Sequence, residues 1–154
     1  MASDQGELVL KLERVLPVSP AVVFGAFSDP DRLRKWWGPE GFTIPGVEYH
    51  QRVGETYRIE MQPPEGESFY LTGEFREVDP PARLAFTFVW EDPDPDDVAT
   101  LVELSFTDLD GSTQLGLSQG RFKTEDRRQL HRDGWSDSFD KLERFLSGGV
   151  EGGT

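Results

Sequence analysis

TEDRRQLHRDGWSDSFDKLERFLSGG, residues 124 to 149, decides the fold of this chain. Thr124 can cap a helix there, and Glu125 and Asp126 suit the positive end of its dipole. His131, Trp135, Phe139, Leu142 and Leu146 recur at helical spacing, drawing one apolar stripe along a helix of about twenty residues that ends at Gly148-Gly149. A long helix with one apolar face needs a concave apolar surface to bury it.

The preceding residues supply that surface. From about residue 47 to 120 the pattern has period two, in the segments VEYH (47 to 50), ETYRIEM (55 to 61), FYLTGEFREV (69 to 78), RLAFTFVW (83 to 90), VATLVELSFT (98 to 107) and STQLGLSQ (112 to 119). Short Gly, Pro and Asp stretches separate them, so they read as a meandering antiparallel sheet. Apolar parity puts Tyr57, Ile59, Met61, Phe69, Leu71, Gly73, Phe75, Leu84, Phe86, Phe88, Trp90, Val98, Val102, Leu104, Phe106, Leu115 and Leu117 on the inner face. Glu55, Thr100, Thr113 and Gln119 are the inward polar positions. Gly73 and Gly134 remove volume where sheet and helix would meet, which means either tight contact or a gap.

The first third completes the outline. LVLKLERVL (8 to 16) reads as a strand, Ser19 as the cap of a helix starting at Pro20, and Asp29 as the cap of a second starting at Pro30. Gly38-Pro39 stops that second helix just after Trp36-Trp37. The domain therefore runs from 8 to 147, with 1 to 7 and 148 to 154 as flexible termini.

Composition narrows the function. The 154 residues carry 29 acidic against 16 basic side chains, a net charge of −13, which repels phosphate backbones and anionic lipid. Nucleic acid and membrane are thus not expected partners. No cysteine is present, so thiolate catalysis is excluded, and with no signal peptide or transmembrane pattern the expected location is cytoplasmic. The acids of EDPDPDD (91 to 97) alternate with prolines and lack an EF-hand glycine, so they read as a solvated loop and not a metal site.

SPAVVFGAFSDPDRLRKWWGPEGF, the GETYRI strand, GEFREVDPPARLAFTFVW, GSTQLGLSQGRF and DGWSDSFDKLERFL together resemble the activator of heat-shock protein 90 ATPase-like family. That family lies within the START-like, birch-pollen-allergen-like (SRPBCC) group. The most specific markers are Trp36-Trp37-Gly38-Pro39, the Asp79-Pro80-Pro81 turn and Gly134-Trp135, and the resemblance spans about residues 8 to 147. It implies an α+β helix-grip fold: a curved antiparallel sheet of about six to seven strands round the C-terminal helix, with two short helices after the first strand. It also implies that Trp36 and Trp37 close the mouth of a cavity between sheet and helix.

On that reading the chain binds a small hydrophobic or aromatic molecule, lipid-like or polyketide-like, without a cofactor. The cavity would be lined by Phe27, Trp36, Trp37, Tyr57, Ile59, Met61, Phe69, Leu71, Phe75, Phe86, Phe88, Trp90, Leu104, Leu117, His131, Trp135 and Phe139. The competing reading is that these side chains simply fill a core. The resemblance also implies heat-shock protein 90 as a protein partner, and cyclase or aromatase chemistry as a third reading. Catalysis would need an acid or base facing the cavity. Of the two histidines, His50 beside Glu48 reads as a solvated edge position and His131 as a partly buried helix residue, and no Ser-His-Asp order or HExxH is present. No catalytic residue is therefore assigned.

Overall fold

The structure is a computed structural model that describes residues 8 to 152, with the side chains of 148 to 152 left aside. Strand β1 (Leu10–Leu16) leads into helix α1 (Pro20–Ser28) and the single turn α2 (Pro30–Leu33). Then follow β2 (Thr43–Tyr49), β3 (Thr56–Gln62), β4 (Phe69–Asp79), β5 (Arg83–Trp90), β6 (Thr100–Asp108), β7 (Thr113–Gly120) and the long helix α3 (Glu125–Gly152). The seven strands form one antiparallel sheet in the order β1-β7-β6-β5-β4-β3-β2, so α1 and α2 bridge from one edge to the other. This is the helix-grip architecture.

Local signals act as the sequence implies, with four exceptions. Thr124 Oγ1 accepts the Arg127 amide at 3.1 Å and Asp29 Oδ1 accepts the Asp31 amide at 3.0 Å, both as N-caps. Ser19 makes no side-chain cap, because Pro20 pre-sets the first helical φ without it. The second helix unravels after Leu33, well before Gly38, although Gly38 does take the left-handed φ of +96° that a side chain would resist. Glu55 and Val98 are exposed: each precedes its strand, where the pleat no longer dictates direction. Helix α3 continues past Gly148-Gly149, since glycine weakens a helix by about 1 kcal/mol without breaking its hydrogen-bond ladder. Residues 1 to 7 and 153 to 154 of the expected flexible termini lie outside the described residues.

Parity holds across the sheet: Tyr57, Ile59, Met61, Leu71, Phe75, Leu84, Phe86, Phe88, Val102, Leu104, Phe106, Leu115 and Leu117 are all buried. Against them α3 sets Trp135, Phe139, Leu142 and Leu146, and α1 sets Phe27 edge-on and Phe24 tilted against Phe106. Each such side chain contributes roughly 1.5 to 3 kcal/mol of burial. Gly73 makes room within the sheet itself and not toward the helix: a Cβ there would run into the Thr87 carbonyl of β5 and come within 2.7 Å of the Tyr57 ring of β3. Tyr57 occupies the missing volume and its hydroxyl donates to Thr87 O at 2.6 Å.

Candidate functional site

The core is filled around β6, β7 and the C-terminal half of α3, and opens at the other end. There a cavity of about 400 Å³ lies between the first three turns of α3, the ends of β3, β4 and β5, and the Trp37–Phe42 turn. Trp37, Phe42, Met61, Phe69, Phe88, Trp90 and Trp135 give it aromatic and apolar walls. Gly134 faces it from the helix, where an added Cβ would touch only Pro39 at 3.7 Å. Here, in contrast to Gly73, a glycine does leave space.

The two adjacent tryptophans diverge. Trp36 is wholly buried, donates its indole N–H to Ala26 O at 3.2 Å and packs edge-on to Phe27 at 4.7 Å, so it ties α2 to α1 and touches no cavity. Trp37 faces the cavity and meets the Trp135 ring edge-on at 5.1 Å. The turn that follows is clamped to α3 by polar bonds: the Gly38 amide donates to Ser138 Oγ at 2.9 Å and Lys141 Nζ donates to Pro39 O at 3.1 Å. Burial, the largest influence, pushes the Lys141 ammonium below its ordinary pKa. Trp135 is itself held from below, its indole N–H donating to Gln119 Oε1 at 2.7 Å while Gln119 Nε2 donates to Thr100 Oγ1 at 2.8 Å.

One polar ring reaches the apolar wall. His131 stacks against Phe122 at 4.9 Å and stands edge-on to Phe88 at 5.6 Å, with Nδ1 at 2.8 Å from Arg127 O and Nε2 at 3.4 Å from the Trp90 indole nitrogen. Burial lowers its pKa, against smaller raising contributions from the Arg127 carbonyl and Asp97. The mouth is acidic, with Asp92, Asp94, Asp97, Asp133 and Asp137 around it. Arg127 bridges Asp94 at 2.8 Å and Asp97 at 3.5 Å. Among the described residues no three His, Cys, Asp or Glu side chains are grouped to hold a metal ion.

Of the expected lining, the cavity collects Trp37, Met61, Phe69, Phe88, Trp90, His131 and Trp135. Phe27, Tyr57, Ile59, Phe75 and Phe86 surround a second void of only about 20 Å³, too small for a ligand. Trp36 lines neither because it packs against α1, and Leu71, Leu104, Leu117 and Phe139 line neither because they are buried in the filled part of the core. Both readings of the inner face thus apply, to different ends of it. His50 and Glu48 are exposed. Phe42, Tyr70, Leu130 and the rim aspartates are additions that strand parity does not point to. The available signal for Phe42 was its place four residues beyond Gly38, in the very turn that closes the mouth.

This geometry has relatives. The family model for activator of Hsp90 ATPase homolog 1-like protein matches residues 17–147. The chain belongs to that family. Among solved structures, a Chromobacterium violaceum protein is 28% identical, with a TM-score of 0.81 over 90% of this chain and 96% of its own. The AHSA1 protein from Silicibacter pomeroyi is 29% identical, with a TM-score of 0.80 over 90% of this chain and 97% of its own. CalU16 from Micromonospora echinospora, at 21% identity and a TM-score of 0.71 over 91% of this chain and 74% of its own, shares the fold alone. No curated protein matches. The match spans both the Trp-Trp-Gly-Pro turn and the gripped helix up to residue 147, and among the described residues no helix is long and apolar enough to cross a membrane.

Proposed function

We propose that this family member binds a small, flat, hydrophobic or aromatic molecule in the cavity under Trp37. The observation that carries the reading is the contrast within one interior. Five of the seventeen expected lining residues meet neither void, yet some 400 Å³ beside Trp37, Phe88, Trp90 and Trp135 stays open. A concave space of a few hundred Å³ with aromatic walls, open on one side, is the usual form of a small-molecule site. At roughly 25 cal/mol per Å² of apolar burial, contact with those rings supports micromolar affinity. With no cysteine in the chain, we assign this binding to a reducing, cytoplasmic setting.

Calorimetric titration with a panel of fused-ring aromatics, sterols and fatty acids tests the reading. Saturable one-to-one binding with a negative heat-capacity change is expected for at least the aromatic class. Absence of saturation across the whole panel overturns it, and docking on heat-shock protein 90, which the family's description brings to mind, becomes the reading to pursue. A cyclase-like reaction is the second reading, favoured by one observation: His131 puts a titratable ring on the cavity wall. Chemical analysis of the bound compound after incubation separates turnover from binding.

A further inference from the structure

Inside its acidic mouth the wall of the cavity is mostly apolar, and the orientation of one polar ring in it, His131, limits what can bind. His131 Nδ1 lies 2.8 Å from the carbonyl of Arg127, and a carbonyl only accepts, so Nδ1 carries the proton. In the neutral ring Nε2 is then an acceptor. Its partner is the Trp90 indole N–H at 3.4 Å, beyond the usual 2.7 to 3.2 Å and therefore weak. The single acceptor of this cavity-lining ring is thus held by one weak bond only. The charged groups near the ring are Asp97, from the β5–β6 loop, and Arg127, from its own helix, already paired with Asp94 and Asp97; Phe88, Trp90 and Phe122 supply its other neighbours.

Given the binding reading above, on which this rests, we propose that His131 Nε2 anchors a hydrogen-bond donor on the ligand, so the site takes uncharged, hydroxyl-bearing aromatics and rejects carboxylates. A phenolic hydroxyl donating to Nε2 can also accept from the Trp90 indole N–H, which exchanges one long bond for two short ones. An aryl ether presents only an acceptor to an acceptor. A carboxylate does the same with a full negative charge, and must pass the aspartates of the mouth to do so. Fatty acids are therefore excluded from the panel of natural ligands, and phenolic polycycles are favoured.

The test is calorimetry at pH 7.5 with four matched probes: naphthalene, 2-naphthol, 2-methoxynaphthalene and 2-naphthoate. The native protein should bind 2-naphthol about five- to tenfold tighter than the ether, the value of one net hydrogen bond, and should bind 2-naphthoate more weakly than either. His131→Leu should equalise naphthol and ether while still binding naphthalene, and His131→Gln, which keeps an acceptor, should retain at least a twofold preference. Should the leucine variant fail to fold, the comparison in native protein decides by itself. Equal binding of naphthol and ether, or tighter binding of naphthoate, overturns the donor rule and leaves the cavity as a site. If none of the four binds, this rule falls, and the sterol and fatty-acid arms of the earlier panel decide whether the cavity reading falls with it.

Discussion

Trp37 and Trp135 meet edge-on, their ring centroids 5.1 Å apart and their planes at 77°, one from the turn after α2 and one from α3. The pair joins the clamped turn to the gripped helix at the boundary between filled core and open cavity. Gln119 fixes Trp135 from the sheet side, and Ser138 and Lys141 fix the turn from the helix side. A site built this way is largely formed before a ligand arrives, which keeps the ordering cost of binding low.

Filling the space should abolish binding without harming the fold. Gly134→Leu projects its side chain past Pro39 into the cavity and replaces a helical glycine with a better helix former. Affinity for aromatic probes should drop at least tenfold, with a melting temperature equal to or above native. Calorimetry and a thermal melt on the same preparation check both halves.

Gly73→Ala should do the opposite, damaging the fold with no ligand present. Its Cβ would strike the Thr87 carbonyl and the Tyr57 ring, neither of which can retreat. Overpacking of this kind costs about 3 kcal/mol, which a urea midpoint will register.

Gln119→Leu should leave the Trp135 indole N–H and the Thr100 hydroxyl without their present partner in a buried setting. A loss of about 1 to 3 kcal/mol is expected. Probe affinity should fall as well, since the Trp135 ring loses the bond that holds its orientation.

Stability should also carry a histidine signature. Burial holds the His131 pKa below its ordinary 6.5, so the unfolded chain binds the proton more readily than the folded one. The contribution of the neutral ring is complete above pH 6.5 and disappears as pH falls from there toward the lowered folded value. Denaturation of native protein and of His131→Leu at a series of pH values should show the native curve declining faster in that window. Parallel curves would contradict the buried-imidazole assignment.

The outline of this molecule was readable from period-two and helical spacing alone, because an inner face and an apolar stripe constrain each other. Phe88 and Trp135 followed from the same spacing, and Trp37 from the family resemblance. What parity does not carry is the distance between the two layers: Leu104, Leu117 and Phe139 obey the pattern as fully as Phe88, yet are buried away from the cavity. The acids at 94 and 97 read as part of a solvated loop, and only tertiary pairing with Arg127 ties them to the mouth. Trp36 and Trp37 are neighbours in sequence, and the unravelling of α2 after Leu33 is what turns one toward Ala26 and the other toward Trp135.

The four tryptophans allow the central claim to be tested within one spectrum. Three line the cavity, Trp37, Trp90 and Trp135, while Trp36 is buried beside α1 and serves as an internal reference. Indole N–H resonances should be followed by heteronuclear NMR as 2-naphthol is added. The account predicts saturable shifts of Trp37, Trp90 and Trp135 with a common dissociation constant, and the smallest shift at Trp36. Four unmoved indoles, or shifts no larger for these three than for Trp36, would contradict it.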